Sequence, residues 1–208
     1  MHRSTAVKGN GVGSRPPSLH SLESPSSSIA FQPNDTIYAP GQIRRALYRV
    51  DHGVVRIYRL LASGRRHICS FEFSGDVFGF EPDDNHLFFA EAVSQTSLRA
   101  LSLLEDAIPD AGPVLQNMER IQRNLLVLGH RDPIERVAAF MCDLEFRQGG
   151  TGVIELSMSR ADIADHLCVS IETISRVFTC LRLKGIIKLR APRIVEIVRP
   201  RALKFLTE

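Results

Sequence analysis

Residues 159 to 198 leave the chain the least freedom. Ser159 and Ser170 each stand just before a short run with helical periodicity. A serine oxygen at such a position accepts a backbone N–H that the first helical turn leaves unpaired. Asp162 follows Ser159 by three residues and can answer back to the Ser159 amide, closing a capping box. In the first run Ile163, Ala164 and Leu167 share a face; in the second, which reaches about Leu183, Ile174, Val177, Phe178 and Leu181 do. Cys168-Val169-Ser170 leaves room only for a tight turn between them. Gly185 stops the second helix, and Ile186 to Val198 reads as a β-hairpin with Ala191-Pro192-Arg193 near its tip. Two short helices joined at a tight turn and followed by a hairpin make a winged helix-turn-helix.

The polar residues of the second helix sit where such a motif meets DNA. Glu172, Thr173, Ser175 and Arg176 lie off the apolar stripe, in the first two turns, the part that enters a major groove. An arginine can donate two hydrogen bonds to guanine, and a glutamate can accept from the amino group of cytosine. Glu172 and Arg176 are also one turn apart, so an ordinary helical ion pair is the competing reading. Charge fits the nucleic-acid reading, with an ordinary solvated face as the equal alternative. Residues 31 to 110 carry 8 basic and 11 acidic side chains, whereas 111 to 208 carry 15 and 11. Between Arg176 and Lys204 there are nine basic residues and one acid, Glu196. A basic end on a nearly neutral chain points to a polyanionic partner.

Ahead of this motif lies a helix over residues 113 to 128 with a narrow seam. Val114, Met118, Ile121, Leu125 and Leu128 are spaced 4, 3, 4 and 3, a heptad stripe. Such a seam can pair with its own copy or dock on the preceding domain; the first is preferred here. Gly129 breaks the helix, and Asp132-Pro133-Ile134-Glu135 restarts another with a cap, a proline at its first position and an acid at its third.

Residues 31 to about 104 read as short strands. Gly41, Gly53, Gly64 and Gly75 recur at gaps of 12, 11 and 11, with apolar runs between them, as in a sandwich or barrel. Ser63-Gly64 suits the tip of a two-residue hairpin. After it, His67, Cys69, Phe71 and Phe73 should share one face and Ile68, Ser70 and Glu72 the other. Seven of the fifteen residues from Ser14 to Ser28 are serine, with three prolines among them, a composition expected to stay disordered. The chain therefore divides into a disordered segment over 1–28, a β-domain over 29–110, a helix over 111–130 and a DNA-binding domain over 131–208.

At this point the sequence resembles the CRP/FNR family of bacterial regulators, and within it the FixK-type branch. The resemblance runs from Phe31 to Arg199. It rests on Arg160, Asp162-Ile163-Ala164, Leu167, Ser170 and Glu172-Thr173-Ile174-Ser175-Arg176 in the helix-turn-helix. In the β-domain it rests on Ile37-Tyr38-Ala39-Pro40-Gly41, Gly53-Val54-Val55-Arg56 and Gly75-Asp76-Val77-Phe78-Gly79. It implies an α+β architecture: a cyclic-nucleotide-binding-like β-roll, a long dimerisation helix and the winged helix-turn-helix. It implies a transcription activator of low-oxygen or nitrogen-fixation-type genes that works with RNA polymerase. Its target would be double-stranded DNA, a TTGA/TCAA palindrome bound by a homodimer. Ile171, Glu172, Ser175 and Arg176 would read bases, while Ser159, Arg160, Ser170 and Thr173 would touch phosphate. Many FixK-type members carry cysteine where this chain has Ser159, so redox control through that position should be absent.

The departures exclude some chemistries. Cyclic-AMP receptors of the family hold their ligand with a Gly-Glu pair and an Arg-[Ser/Thr] pair; here Gly75 is followed by Asp76, and Phe88 to Leu98 has no arginine followed by serine or threonine. A buried phosphate without an arginine is costly, so binding without cyclic nucleotide or any other cofactor is expected. A sensor gated by another small molecule is the alternative. No cysteine precedes Cys69, which removes the family's N-terminal iron–sulfur cluster. Cys69, Cys142, Cys168 and Cys180 form no CxxC pair and no metal set, in keeping with a reducing cytoplasm. His67 and Cys69 read as part of a core face. No run approaches the roughly 18 apolar residues of a membrane span, and Met1 to Ser28 lacks the apolar stretch of a secretory signal. No catalytic triad or phosphate loop is present, so the chain is not expected to be an enzyme.

Overall fold

The structure, a computed structural model, describes residues 28–101 and 111–208. The disorder expected for the N-terminal segment lies, up to residue 27, outside the described residues. Ser28 itself opens a strand. The first part holds β1 (Ser28–Phe31), β2 (Thr36–Tyr38), β3 (Leu47–His52), β4 (Val54–Leu60), β5 (Arg66–Phe73), β6 (Val77–Phe78), β7 (Phe89–Ala92) and β8 (Thr96–Leu101). They form two four-stranded antiparallel sheets, ordered β1-β8-β3-β6 and β2-β7-β4-β5. Between the sheets lie Phe31, Tyr38, Tyr48, Val50, Val55, Phe78 and Leu98. The glycine at the β3–β4 corner is required. Gly53 has φ +91°, and a Cβ there would stand 2.5 Å from the Gln95 carbonyl oxygen and the Thr96 Oγ1.

Two local expectations are corrected. The β4–β5 hairpin does not turn on two residues. The Leu61 N–H donates to the Arg65 carbonyl and the Gly64 N–H to the Leu61 carbonyl, so Ala62 to Gly64 form a three-residue loop with Gly64 left-handed at φ +76°. The strand that follows does not keep simple alternation. Ser70 pairs with Ile57 and Ile68 with Tyr58, leaving Cys69 as an unpaired bulge residue. A bulge reverses the face of everything beyond it. Ile68 therefore joins Phe71 in the core, and Glu72 on the other parity is buried as well.

The rest of the described chain is α1 (Gly112–Gly129), α2 (Pro133–Arg147), β9 (Val153–Glu155), α3 (Arg160–Leu167), α4 (Ile171–Leu183), β10 (Ile187–Ala191), β11 (Ile194–Ile197) and α5 (Pro200–Phe205). The strands make one antiparallel sheet in the order β10-β11-β9. The Asp132 carboxylate caps α2 by accepting the Ile134 N–H at 2.7 Å. Helix α1 is inside out. It turns Arg120 and Asn124 toward its own chain, where Arg120 pairs with Glu72 and Asp76 and Asn124 donates to the Cys69 carbonyl. Val114, Leu115, Met118, Ile121, Leu125 and Leu126 are left exposed.

The two parts are not beads on a string. One hydrophobic core runs from Val54, Tyr58, Ile68 and Phe71 of the β-roll through Phe140, Met141 and Leu144 of α2 to Ile163, Leu167, Ile174 and Leu181 of the helix pair. At its centre the buried His166 Nδ1 donates to the Ile68 carbonyl at 3.0 Å, its ring clustered with those of Phe71 and Phe140.

Candidate DNA interface

Each helix of the pair starts as its cap residue dictates. Ser159 Oγ accepts the Asp162 N–H at 3.0 Å, and the Asp162 carboxylate accepts the Ser159 N–H at 3.1 Å. Ser170 Oγ accepts the Thr173 N–H at 3.1 Å. Caps of this kind contribute about 1 kcal/mol each. Between the helices Cys168 adopts the left-handed conformation at φ 56°, normally a glycine's role.

Helix α4 buries Ile174, Val177, Phe178 and Leu181 against the core. That sets Ile171, Glu172, Ser175, Arg176 and Thr179 in a row facing outward, all exposed. The competing ion pair is not formed: among the described residues no salt bridge joins Glu172 to Arg176. The Glu172 carboxyl sits below the usual range because its own backbone N–H and the Ser170 hydroxyl stabilise the charge, with Arg176 contributing less. The Arg176 guanidinium is thus left available to an outside acceptor. Ser175 Oγ donates to the Ile171 carbonyl at 3.0 Å.

Around this row the charge is positive. Lys188, Arg190 and Arg193 line the β10–β11 hairpin, all exposed, with Arg190 paired to Glu196 at 2.9 Å. Arg160 folds over the Phe178 ring, its Cζ 3.3 Å from the centroid. Partial burial lowers its pKa to about 10, so it stays protonated at neutral pH. Its buried Nη1 has no hydrogen-bond partner among the described residues. Held on an aromatic face at the start of α3, this cation can attract an incoming anion by its charge.

The remaining sequence-selected residues fall elsewhere. Val114, Met118, Ile121 and Leu125 form an exposed seam on α1, whereas Leu128 is half-buried against the chain's own core. Asp76, where the family's cyclic-AMP receptors have glutamate, is fully engaged. It takes Arg120 at 2.7 Å, the guanidinium of Arg147 and the Phe73 N–H. The interior of the β-roll is filled by the rings of Tyr38, Tyr48, Phe78 and His86, the last stacked on Tyr38 at 3.6 Å. Cys168 is exposed, with Sγ 3.5 Å from His67 Nδ1; Cys69, Cys142 and Cys180 are half-buried.

Sequence reasoning missed one group of residues at this site. Arg56 on β4 and Arg66 on β5 both reach Asp162 of α3, at 3.3 and 2.6 Å. Arg66 also reaches Asp165 at 2.8 Å. The partners are roughly a hundred positions apart in the chain, and no spacing pattern announces them.

The comparisons with known proteins agree with this geometry. A Crp-like helix-turn-helix domain matches residues 135–206, and a cyclic nucleotide-binding domain matches residues 28–110. The nitrogen fixation regulation protein FixK of Rhizobium meliloti is 43% identical over 188 residues, 89% of each chain. The protein of the same name from Azorhizobium caulinodans is 39% identical over 178 residues, covering 78% of this chain and 72% of its own. Among solved structures, FixK2 from Bradyrhizobium japonicum superposes with a TM-score of 0.80 at 31% identity, over 88% of this chain and 97% of that one.

Proposed function

Because the chain belongs to the CRP/FNR family of transcription regulators, in its FixK-type branch, we propose that it is a homodimeric activator that reads a TTGA/TCAA palindrome without cyclic nucleotide. The observation that carries this reading is the exposed outward row of Ile171, Glu172, Ser175 and Arg176 on α4, with Arg176 unpaired among the described residues. In the groove, Arg176 donates to guanine and Glu172 accepts from the paired cytosine. Arg160, Ser170 and Thr173 flank the row at the two helix starts and take phosphates; Ser159, expected to do the same, gives its N–H and hydroxyl to Asp162, so its phosphate contact would require that hydroxyl to turn outward. These contacts set the register, while the base contacts choose the sequence.

The α1 seam supports the dimer. A helix that shows Ile121 at 51% and Leu125 at 64% exposure, while turning Arg120 and Asn124 toward its own chain, fits a second copy of itself. Two heads related by a two-fold axis would meet the two halves of a palindrome. Ligand independence is supported by the filled β-roll and by Asp76, whose carboxylate is already occupied by two arginines. The partner after DNA would be RNA polymerase, in the cytoplasm, at genes of low-oxygen or nitrogen-fixation metabolism.

The test is selection of DNA from a random pool by the purified protein, with and without cyclic AMP and cyclic GMP. Enrichment of the palindrome to the same degree in all three conditions is expected. A cyclic nucleotide that shifted the affinity would revive a ligand-gated sensor, since a ligand moves an equilibrium only by preferring one state. Enrichment of an unrelated sequence would end the assignment of bases.

A further inference from the structure

The β-roll holds the reading head by charge as well as by packing. Arg56 is buried at 8% exposure, and Asp162 at 4%. Arg56 gives Nε and Nη2 to Glu91 at 3.0 and 2.7 Å, Nη2 also to Asn34 at 2.9 Å, and Nη1 to Asp162 Oδ1 at 3.3 Å. Arg66 gives Nη2 to the same Oδ1 at 2.6 Å and Nε to Asp165 at 2.9 Å. The other oxygen of Asp162 accepts the backbone N–H and the hydroxyl of Ser159. One carboxylate therefore joins two β-roll arginines to the cap of α3, and Ser159 and Arg160 stand at that cap.

We propose that Arg56 and Arg66, although they belong to the β-roll and spend their guanidinium groups on the chain's own acids, are positioning residues for DNA binding. They hold the start of α3 in place and neutralise two carboxylates that would otherwise stand beside the DNA backbone. This rests on the reading that α3 and α4 bind DNA. The docked arrangement is the binding-competent one. Helix α4 packs on α2, α3 and β10, and its outward row stays uncovered while α3 is docked on β5. Unpaired, Asp162 and Asp165 would leave two negative charges in the first turns of α3, the helix proposed to meet phosphate, and like charges repel.

The experiment uses the full chain and a palindromic duplex, with affinity read by fluorescence anisotropy. Arg66 is about a quarter exposed in its side chain, so Arg66→Gln leaves the buried Arg56 pair in place; thermal melts check that each variant is folded. Arg66→Gln is expected to weaken binding by roughly tenfold, with base preference at the G·C pair unchanged. Arg66→Lys, which restores the charge but not the fork, is expected to recover most of that loss. Arg176→Ala serves as the control that loses base preference. If Arg66→Gln binds as tightly as the parent or more tightly, while Arg176→Ala loses preference, the positioning role is overturned and the DNA reading stands. If Arg66→Lys is as weak as Arg66→Gln, charge is not what holds the head and the proposal likewise fails. If the parent chain does not bind the duplex, or Arg176→Ala keeps its preference, both readings fall.

Discussion

Arg176 is exposed and forms no salt bridge with Glu172 one turn away, so its contribution should appear chiefly when DNA is present. Arg176→Ala is expected to cost about 1–3 kcal/mol of binding and to relax the choice at one G·C pair in each half-site. Gel shifts against all four pairs at that position check it, and an unchanged order of preference would place base reading elsewhere. Ser159 offers a second test. Its hydroxyl takes part in the cap of α3 next to Arg160, and a hydroxyl there cannot be oxidised to an anion. Ser159→Cys is expected to make DNA binding sensitive to mild peroxide while the parent chain largely keeps it. The measurement is a gel shift before and after oxidation, with mass spectrometry to locate the modified sulfur. Equal loss in the parent would implicate one of its own thiols, of which Cys168 is the exposed one. These residues were legible in the sequence because each depends on neighbours within four positions: a cap, a turn or a helical face.

Helix α1 can be judged from its own surface. Its heptad stripe was visible in the spacing, and its exposed face carries that stripe except for Leu128. Ile121→Glu with Leu125→Glu would set like charges against each other across a two-fold seam, and the pair is expected to give monomers in sedimentation. A double variant that stayed dimeric would put the interface on another surface. Strand β5 was less legible. Its bulge at Cys69 leaves no mark in an alternating run, because the extra residue is specified by the β4 partner and by the packing of Ile68 on the helical head. Reading the strand alone therefore put Ile68 on the wrong face.

At the scale of the molecule, His166 makes stability depend on pH. Burial holds it neutral, lowering its pKa to about 4 against the opposing pull of the Ile68 carbonyl, which accepts its Nδ1–H. Unfolded, it would bind its proton near pH 6.5. Between these values the unfolded chain carries more protons, so stability should fall as pH falls from about 6.5 toward 4, by up to about 3 kcal/mol. Urea unfolding at several pH values should show His166→Asn with a shallower dependence than the parent; equal slopes would assign the titration to another group. Neither His166 nor the Arg56–Asp162 and Arg66–Asp165 pairs could be found by spacing, since what defines them is which distant strand the head packs on.

That shared packing bears on how such a protein can change over evolutionary time. A reading head that carried its whole core with it could be moved between regulators by recombination at a single joint. Here Ile68 and Phe71 belong to the same hydrophobic core as Ile163 and Leu167. A chimaera joined near Gly129 would set a foreign strand against α3, with a methylene missing or in excess at each contact. Cores feel such mismatches at a kcal/mol or more each. The DNA specificity of this chain is therefore freer to drift by substitutions along the exposed outward row of α4 than by exchange of the head as a unit.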